Sequence, residues 1–304
     1  MDKPRIGLAL GSGSARGWAH IGILRALIDA GIEPAIVTGS SIGALVGAAY
    51  ASNNLDALEE WVRGMTWWDV VRYMDVRVAG GGFIQGDRLM KVFRGRVKDV
   101  PIESLPVSFT AVTTDLATGQ ERWLQSGSLI EAVRASIALP GLFTPMRVDG
   151  QWLMDGGLVN PVPVSACRAL GADAVIAVNL NGDIVGKHLG KQPGGLTRAE
   201  EQDLFAQFKV RLNDGLAMFG LKPEAEPEPG APGLFEVIAG SLNIMQDRIT
   251  RSRMAGDPPE AVVAPPLSGI GLLEFDRADE AIAEGRRCAE EAMPRLCKLA
   301  GLED

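Results

Sequence analysis

An α/β fold organised around a mainly parallel sheet is what the sequence predicts, and three observations predict it. Residues 5–51 alternate twice between a short apolar run and a helical pattern. That is the mark of a βαβα unit, whose strands lie parallel. Asp173 to Leu180 (DAVIAVNL) is a continuous apolar run, as expected of a strand buried on both faces. The 304 residues are 46% hydrophobic and 22% charged, the balance of a globular chain long enough for one α/β domain. A disordered or fibrous chain is excluded.

Each element has its own signal. Arg5 to Gly11 reads as a buried strand ending in glycine, and Gly11 to Gly17 as a tight loop. Trp18 to Ala30 is helical, with Ile21, Leu24, Leu27 and Ile28 on one face and Gly31 closing it. Pro34 to Ser40 is a second strand, and Ser41 to Ala51 a helix rich in small residues. Leu55 to Val78 suggests two short helices, and Gly86 to Val97 another. Pro106–Thr118 and Glu121–Gln125 form a hairpin with Thr118-Gly119 near its turn. A helix over Leu129–Ile137 follows, then short strands at Met146–Val148 and Gln151–Met154 around Asp149-Gly150.

Residues 183–232 break the pattern. Gly, Lys and Pro dominate 186–195, Thr197 to Phe219 is helical, and Lys222 to Gly233 holds four prolines and three glutamates. A surface insertion is the plain reading and a lid the alternative. Helix Leu234–Met254, strand Ala261–Ala264 and helix Arg277–Leu299 close the chain. One domain over 5–304 is expected, with its core motifs in 5–180, the insertion at 183–232 and a C-terminal helix-strand-helix at 234–300.

Charge and cysteines narrow the function. Thirty Lys and Arg against 38 Asp and Glu give a net charge of −8. Without a basic cluster, nucleic acid is not an expected partner, nor is there a general pull toward anionic lipid. Cys167, Cys288 and Cys297 are odd in number, with no metal-ligand spacing. They read as reduced thiols. With no run of 18 apolar residues and an N-terminal apolar stretch too short for a signal peptide, a cytoplasmic location is expected.

Gly39-Ser40-Ser41-Ile42-Gly43 is G-x-S-x-G between an apolar strand and a helix. A nucleophile elbow needs that context, because glycines flanking the serine remove Cβ atoms that would clash at a strained turn. The alternative is a glycine-rich turn that merely starts a helix. The first loop, Gly11, Gly13, Gly17, is G-x-G-x-x-x-G, one residue longer than a dinucleotide fingerprint, and the acidic residue about twenty positions on is missing. Its amides suit an oxyanion hole facing Ser41, with Arg16 adding positive potential; a plain βα turn is the other reading. For a proton acceptor, Asp155 before Gly156-Gly157 is favoured over His20, which lies just past the glycine loop. An aspartate in an ordinary turn has the same sequence. A Ser41-Asp155-His188 triad and a phosphate-cradling regulatory protein are the alternatives.

Taken together, GLALGSGSARGWAHIGILRAL (7–27), GSSIG (39–43), ASIALPGLFTP (135–145) and DGG (155–157) resemble the patatin-like phospholipases, most closely their bacterial members of roughly 300 residues. The likeness covers residues 5 to about 180, more weakly 234–290. It implies a three-layer α/β/α sandwich and a Ser-Asp dyad without histidine. Ser41 would be the nucleophile and Asp155 the base. Residues 12–17 would form the oxyanion loop, with Gly13, Ser14 and Arg16 as donors; the common family loop has glycine where Ser12 and Ser14 stand. Residues 135–145, including Pro140, would shape the floor beneath the dyad. The implied reaction is acyl-ester hydrolysis of lipids, needing no metal or cofactor.

Six tryptophans are present, three of them in Trp61-Val-Arg-Gly-Met-Thr-Trp67-Trp68. Aromatics interleaved with arginine suit a bilayer interface or a mouth for acyl chains. A continuous helix would place Trp61 and Trp68 on one face. Ile42, Trp67, Trp68 and Pro140 are therefore the substrate-binding candidates, with transient membrane-surface contact at the tryptophans. Packing in the core is the competing expectation for these side chains.

Overall fold

A computed structural model of the chain describes residues 3–73, 86–140, 142–183 and 234–302. The strands are β1 (Ile6–Leu10), β2 (Ile36–Ser40), β3 (Ser108–Asp115), β4 (Glu121–Leu124), β5 (Met146–Val148), β6 (Gln151–Asp155), β7 (Ala174–Val178) and β8 (Ala261–Val263). The helices are α1 (Ala19–Asp29), α2 (Ile42–Ala51), α3 (Leu55–Arg63), α4 (Trp67–Tyr73), α5 (Asp87–Arg94), α6 (Leu129–Ser136), α7 (Val164–Ala169), α8 (Leu234–Gly256) and α9 (Ala278–Leu299). The proposed helix over 197–219, the possible lid and His188 lie outside the described residues, as does the end of the 55–78 helical pair.

The sheet is mixed, in the order β5-β6-β3-β2-β1-β7-β8. β1 pairs in parallel with β2 and β7, and β7 in parallel with β8. β4, β5 and β6 run antiparallel to their partners. Both faces are covered. Leu8 and Leu10 of β1 and Ile176 and Val178 of β7 point into a core built with α1, α2, α6 and α9. Their neighbours Ala9, Val175 and Ala177 point the other way, onto Val164 and Cys167 of α7. Strand residues alternate between faces, so a continuous apolar run such as AVIAV requires helices on both sides.

One detail of strand pairing positions everything that follows. Val112 of β3 faces Trp123 of β4 on one edge and Ser40 of β2 on the other. The next residue, Thr113, faces Arg122 of β4 and Asp155 of β6. β2 and β6 therefore share the same edge of β3, one after the other. Because β2 runs parallel to β3 and β6 antiparallel to it, their C-terminal ends meet head-on.

α7 had no signal of its own in the sequence, since Pro161, Pro163 and two valines disguise a helix that starts one residue after Pro163. The 55–78 helical pair is interrupted at Gly64-Met65-Thr66. Trp61 and Trp68 thus sit on separate helices, not on one face of a continuous one. Trp61 is buried while Trp68 is 68% exposed.

Candidate active site

Ser41 occupies the turn between β2 and α2 with φ 57° and ψ −125°. A non-glycine residue in that region is strained by about 1–3 kcal/mol. Its surroundings hold it there. The Ser41 amide donates to Ser136 Oγ at 3.0 Å, and that hydroxyl donates to the Val112 carbonyl at 2.6 Å. The Ser41 carbonyl accepts from the amides of Ala44 and Leu45 in the first turn of α2. A Cβ on Gly43 would lie 2.2 Å from the Leu10 carbonyl oxygen, so only glycine lets α2 come this close to β1.

Asp155 ends β6 at the strand junction. Ser41 Oγ donates to Asp155 Oδ2 at 2.5 Å, and the Gly157 amide donates to Oδ1 at 2.7 Å. The backbone of Asp155 is fixed as well, its amide by the Ala138 carbonyl and its carbonyl by Thr114 Oγ1. A Cβ on Gly156 would fall 2.2 Å from the Val112 carbonyl oxygen, which explains a glycine directly after the acid. Asp155 is fully buried. Burial pushes its carboxyl up to about 6, against the opposing pull of the Ser41 and Gly157 hydrogen bonds.

The glycine loop lies across from this pair. The Gly11 amide donates to Val178 O, the Ser12 amide to Pro161 O and the Ala15 amide to Leu272 O. The Arg16 amide donates back to Gly13 O at 3.3 Å. That departs from the expectation of Gly13, Ser14 and Arg16 as three donors, because the Arg16 N–H already has an acceptor within its 3₁₀ turn. Gly13 and Ser14 are the loop residues whose amides have no acceptor among the described residues. Ser14 has φ 52°, a second strained serine beside the first.

Gly13, Ser14, Ser41 and Ile42 open onto one cleft, with Leu45, Met65, Val70, Leu142 and Phe143 supplying apolar wall. Its space is about 970 Å³, open solvent at the mouth included. Of the substrate-binding candidates, Ile42 lines this cleft; Pro140, Trp67 and Trp68 do not. Trp67 packs partly buried against the core, and Met65 and Val70 from the same segment face the cleft in its place. The break at Gly64-Met65-Thr66 starts a separate helix, on which Val70 rather than Trp67 or Trp68 lines the cleft.

His20 hydrogen-bonds the Gly11 carbonyl through Nε2 at 2.8 Å. Burial lowers its pKa to about 4, so it is a neutral core histidine behind the loop. Sequence reasoning missed Ser136, Asn243 and Gln246. Ser136 lies within the 135–145 segment expected under the dyad, but nothing in its type or spacing marked it. Asn243 and Gln246 reach the glycine loop from α8, more than 200 residues away in the chain.

Comparison with known proteins shows which family the chain resembles. A family model described as patatin-like phospholipase matches residues 8–168. An uncharacterised NTE family protein of Mycobacterium tuberculosis is 35% identical over 96% of this chain and 92% of its own length. The lysophospholipase NTE1 of Coccidioides immitis is 29% identical over 98% of this chain, which spans 18% of that much longer protein. The neuropathy target esterase sws of Drosophila melanogaster is 38% identical over 58% of this chain and 13% of its own length. Among the described residues no helix is long and apolar enough to cross a membrane. The family match takes in the glycine loop, the elbow and the DGG motif together, and the chain belongs to the patatin-like phospholipase family.

Proposed function

We propose that the protein hydrolyses acyl esters of lipids, in the manner of a phospholipase A or lysophospholipase, with Ser41 as nucleophile and Asp155 as its base. The observation that carries this reading is the 2.5 Å hydrogen bond from Ser41 Oγ to a fully buried carboxylate at the edge of an apolar cleft. Asp155 accepts the hydroxyl proton as Oγ attacks the ester carbonyl, and the oxyanion forms against the amides of Gly13 and Ser14. Collapse of the tetrahedral intermediate expels the alcohol, which takes up the proton from Asp155. The same carboxylate then activates a water that attacks the acyl-enzyme and releases the fatty acid.

An ordinary aspartate, with a pKa near 3.9, is too weak a base for this work. Burial raises Asp155 to about 6, closer to neutral pH, where a general base is most effective. The apolar lining beside Ser41 suits an acyl chain better than a phosphate group, which argues against the phosphate-cradling alternative. His20 is turned away onto the Gly11 carbonyl, so a triad would have to draw on His188.

A fluorophosphonate probe, which captures activated serines, tests the assignment. Native protein is expected to label one to one and Ser41→Ala not at all. Undiminished labelling of Ser41→Ala would remove the nucleophile from this reading.

A further inference from the structure

Arg16 is an unusual side chain to find in the wall of an apolar cleft. It is 1% exposed, and burial lowers its pKa to about 10 against the raising effect of Asp183. It therefore stays cationic. A guanidinium can only donate, and Arg16 uses two of its nitrogens in specific ways. Nε donates to the Gly13 carbonyl at 3.1 Å, and Nη2 donates to Asn243 Oδ1 of α8 at 3.1 Å. Gly13 O also receives the Arg16 amide, so two donors from one residue hold that carbonyl.

A trans peptide points its C=O and N–H in opposite directions. Holding the Gly13 carbonyl toward Arg16 thus turns the Ser14 N–H to the opposite side of that peptide, and Ser14 lines the cleft together with Gly13 and Ser41. This orientation has to be enforced, because Ser14 sits at φ 52°, where a non-glycine residue relaxes if released. α8 supplies a second hold one turn further along. Gln246 Oε1 accepts from Ser12 Oγ at 3.2 Å and from Asn181 Nδ2 at 3.0 Å. The Gln246 amide also lies close to Gly157, where an added Cβ would fall 2.6 Å from Gln246 Nε2, and Gly157 is the residue whose amide holds Asp155.

We infer that Asn243 is a positioning residue for the oxyanion loop, acting through Arg16, and that with Gln246 it makes α8 a clamp on the donor side of the site. This rests on the assignment of Ser41 as nucleophile. Both side chains also line the cleft, but the role assigned to Asn243 is to set the direction of the Ser14 amide, and that role acts on the charged transition state.

The test uses the full chain with a soluble short-chain acyl ester and with the fluorophosphonate probe. Asn243→Ala is expected to lower kcat by ten- to about a hundredfold, the cost of misplacing catalytic groups by about 1 Å, while KM stays within about twofold. Its second-order labelling rate should fall in parallel, because phosphonylation also builds charge on the oxygen in the hole. Asn243→Asp keeps an acceptor for Arg16 and should recover most of the loss, which a purely structural role would not predict. Asn243→Ser, polar but too short to reach Arg16, replaces the alanine variant if that fails to fold. Wild-type kcat in Asn243→Ala, a rise in KM with kcat held, or an Asn243→Asp as impaired as the alanine variant would overturn the clamp alone. Unlabelled wild type, or labelled Ser41→Ala, would overturn the nucleophile assignment and the clamp with it.

Discussion

At Asp155 the desolvation that makes a usable base works against the fold. Its pKa is near 6 in the folded chain and near 3.9 in an unfolded one. Between those values the folded state binds more protons, so stability falls as pH rises from about 4 to 6 and the deficit is complete above 6. Two pK units correspond to at most about 3 kcal/mol. Asp155→Asn keeps an acceptor for the Gly157 amide and removes the buried charge. It should therefore abolish ester hydrolysis yet resist denaturant better than wild type at pH 8, with the gap closing by pH 4. In the wild type kcat/KM should drop about tenfold per pH unit below 6 and level off above it. A profile flat from pH 5 to 7, or an Asp155→Asn no more stable at pH 8, would show that the carboxylate is not held as described. The residues alone favour Asp155 over His20 only weakly, because a lone D-G pair marks turns far more often than bases; the resemblance of DGG and its companion motifs strengthens that reading.

Elements whose cause is local were legible: the βαβα start, the elbow, the hairpin around Thr118-Gly119 and the pair of short strands around Asp149-Gly150 all lie where pattern and turn chemistry put them. What escaped depended on contacts between distant segments. The head-on meeting of β2 and β6 needs β3 to offer one edge to both, and no feature of GSSIG or DGG reveals that. The shared face expected of Trp61 and Trp68 is absent because seven-residue spacing implies one only if the helix continues, and α3 ends at Arg63. Trp67 and Trp68 also differ in setting. Trp67 packs on the core, whereas Trp68 is 68% exposed on the helix whose Val70 lines the cleft. If α4 touches a lipid surface, Trp68→Ala should reduce binding to phosphatidylcholine vesicles while leaving short-chain ester turnover and melting temperature unchanged. Trp67→Ala should instead lower the melting temperature. Equal vesicle binding by wild type and Trp68→Ala would end the idea of membrane contact through this helix.

Across the whole molecule, the interior strand β1 is bracketed by β2, made from residues 36–40, and β7, made from residues 174–178. The two neighbours are separated by more than 130 residues of chain. At ribosomal rates of about 5–20 residues per second, that interval lasts on the order of ten seconds. Throughout it the wholly apolar IGLAL strand has one bare edge of unpaired N–H and C=O groups, the kind that pairs with other chains. A fragment ending at Leu170 should accordingly sediment as aggregate, whereas one that stays monomeric with native-like hydrogen-exchange protection in β1 would contradict this. The glycine loop waits on the same event, since its first amide is held by Val178 and its second by Pro161. If the chain hydrolyses lipid esters as proposed, a half-made chain should not yet cut lipid, because the loop amides are held by residues as late in the chain as Val178 and Leu272.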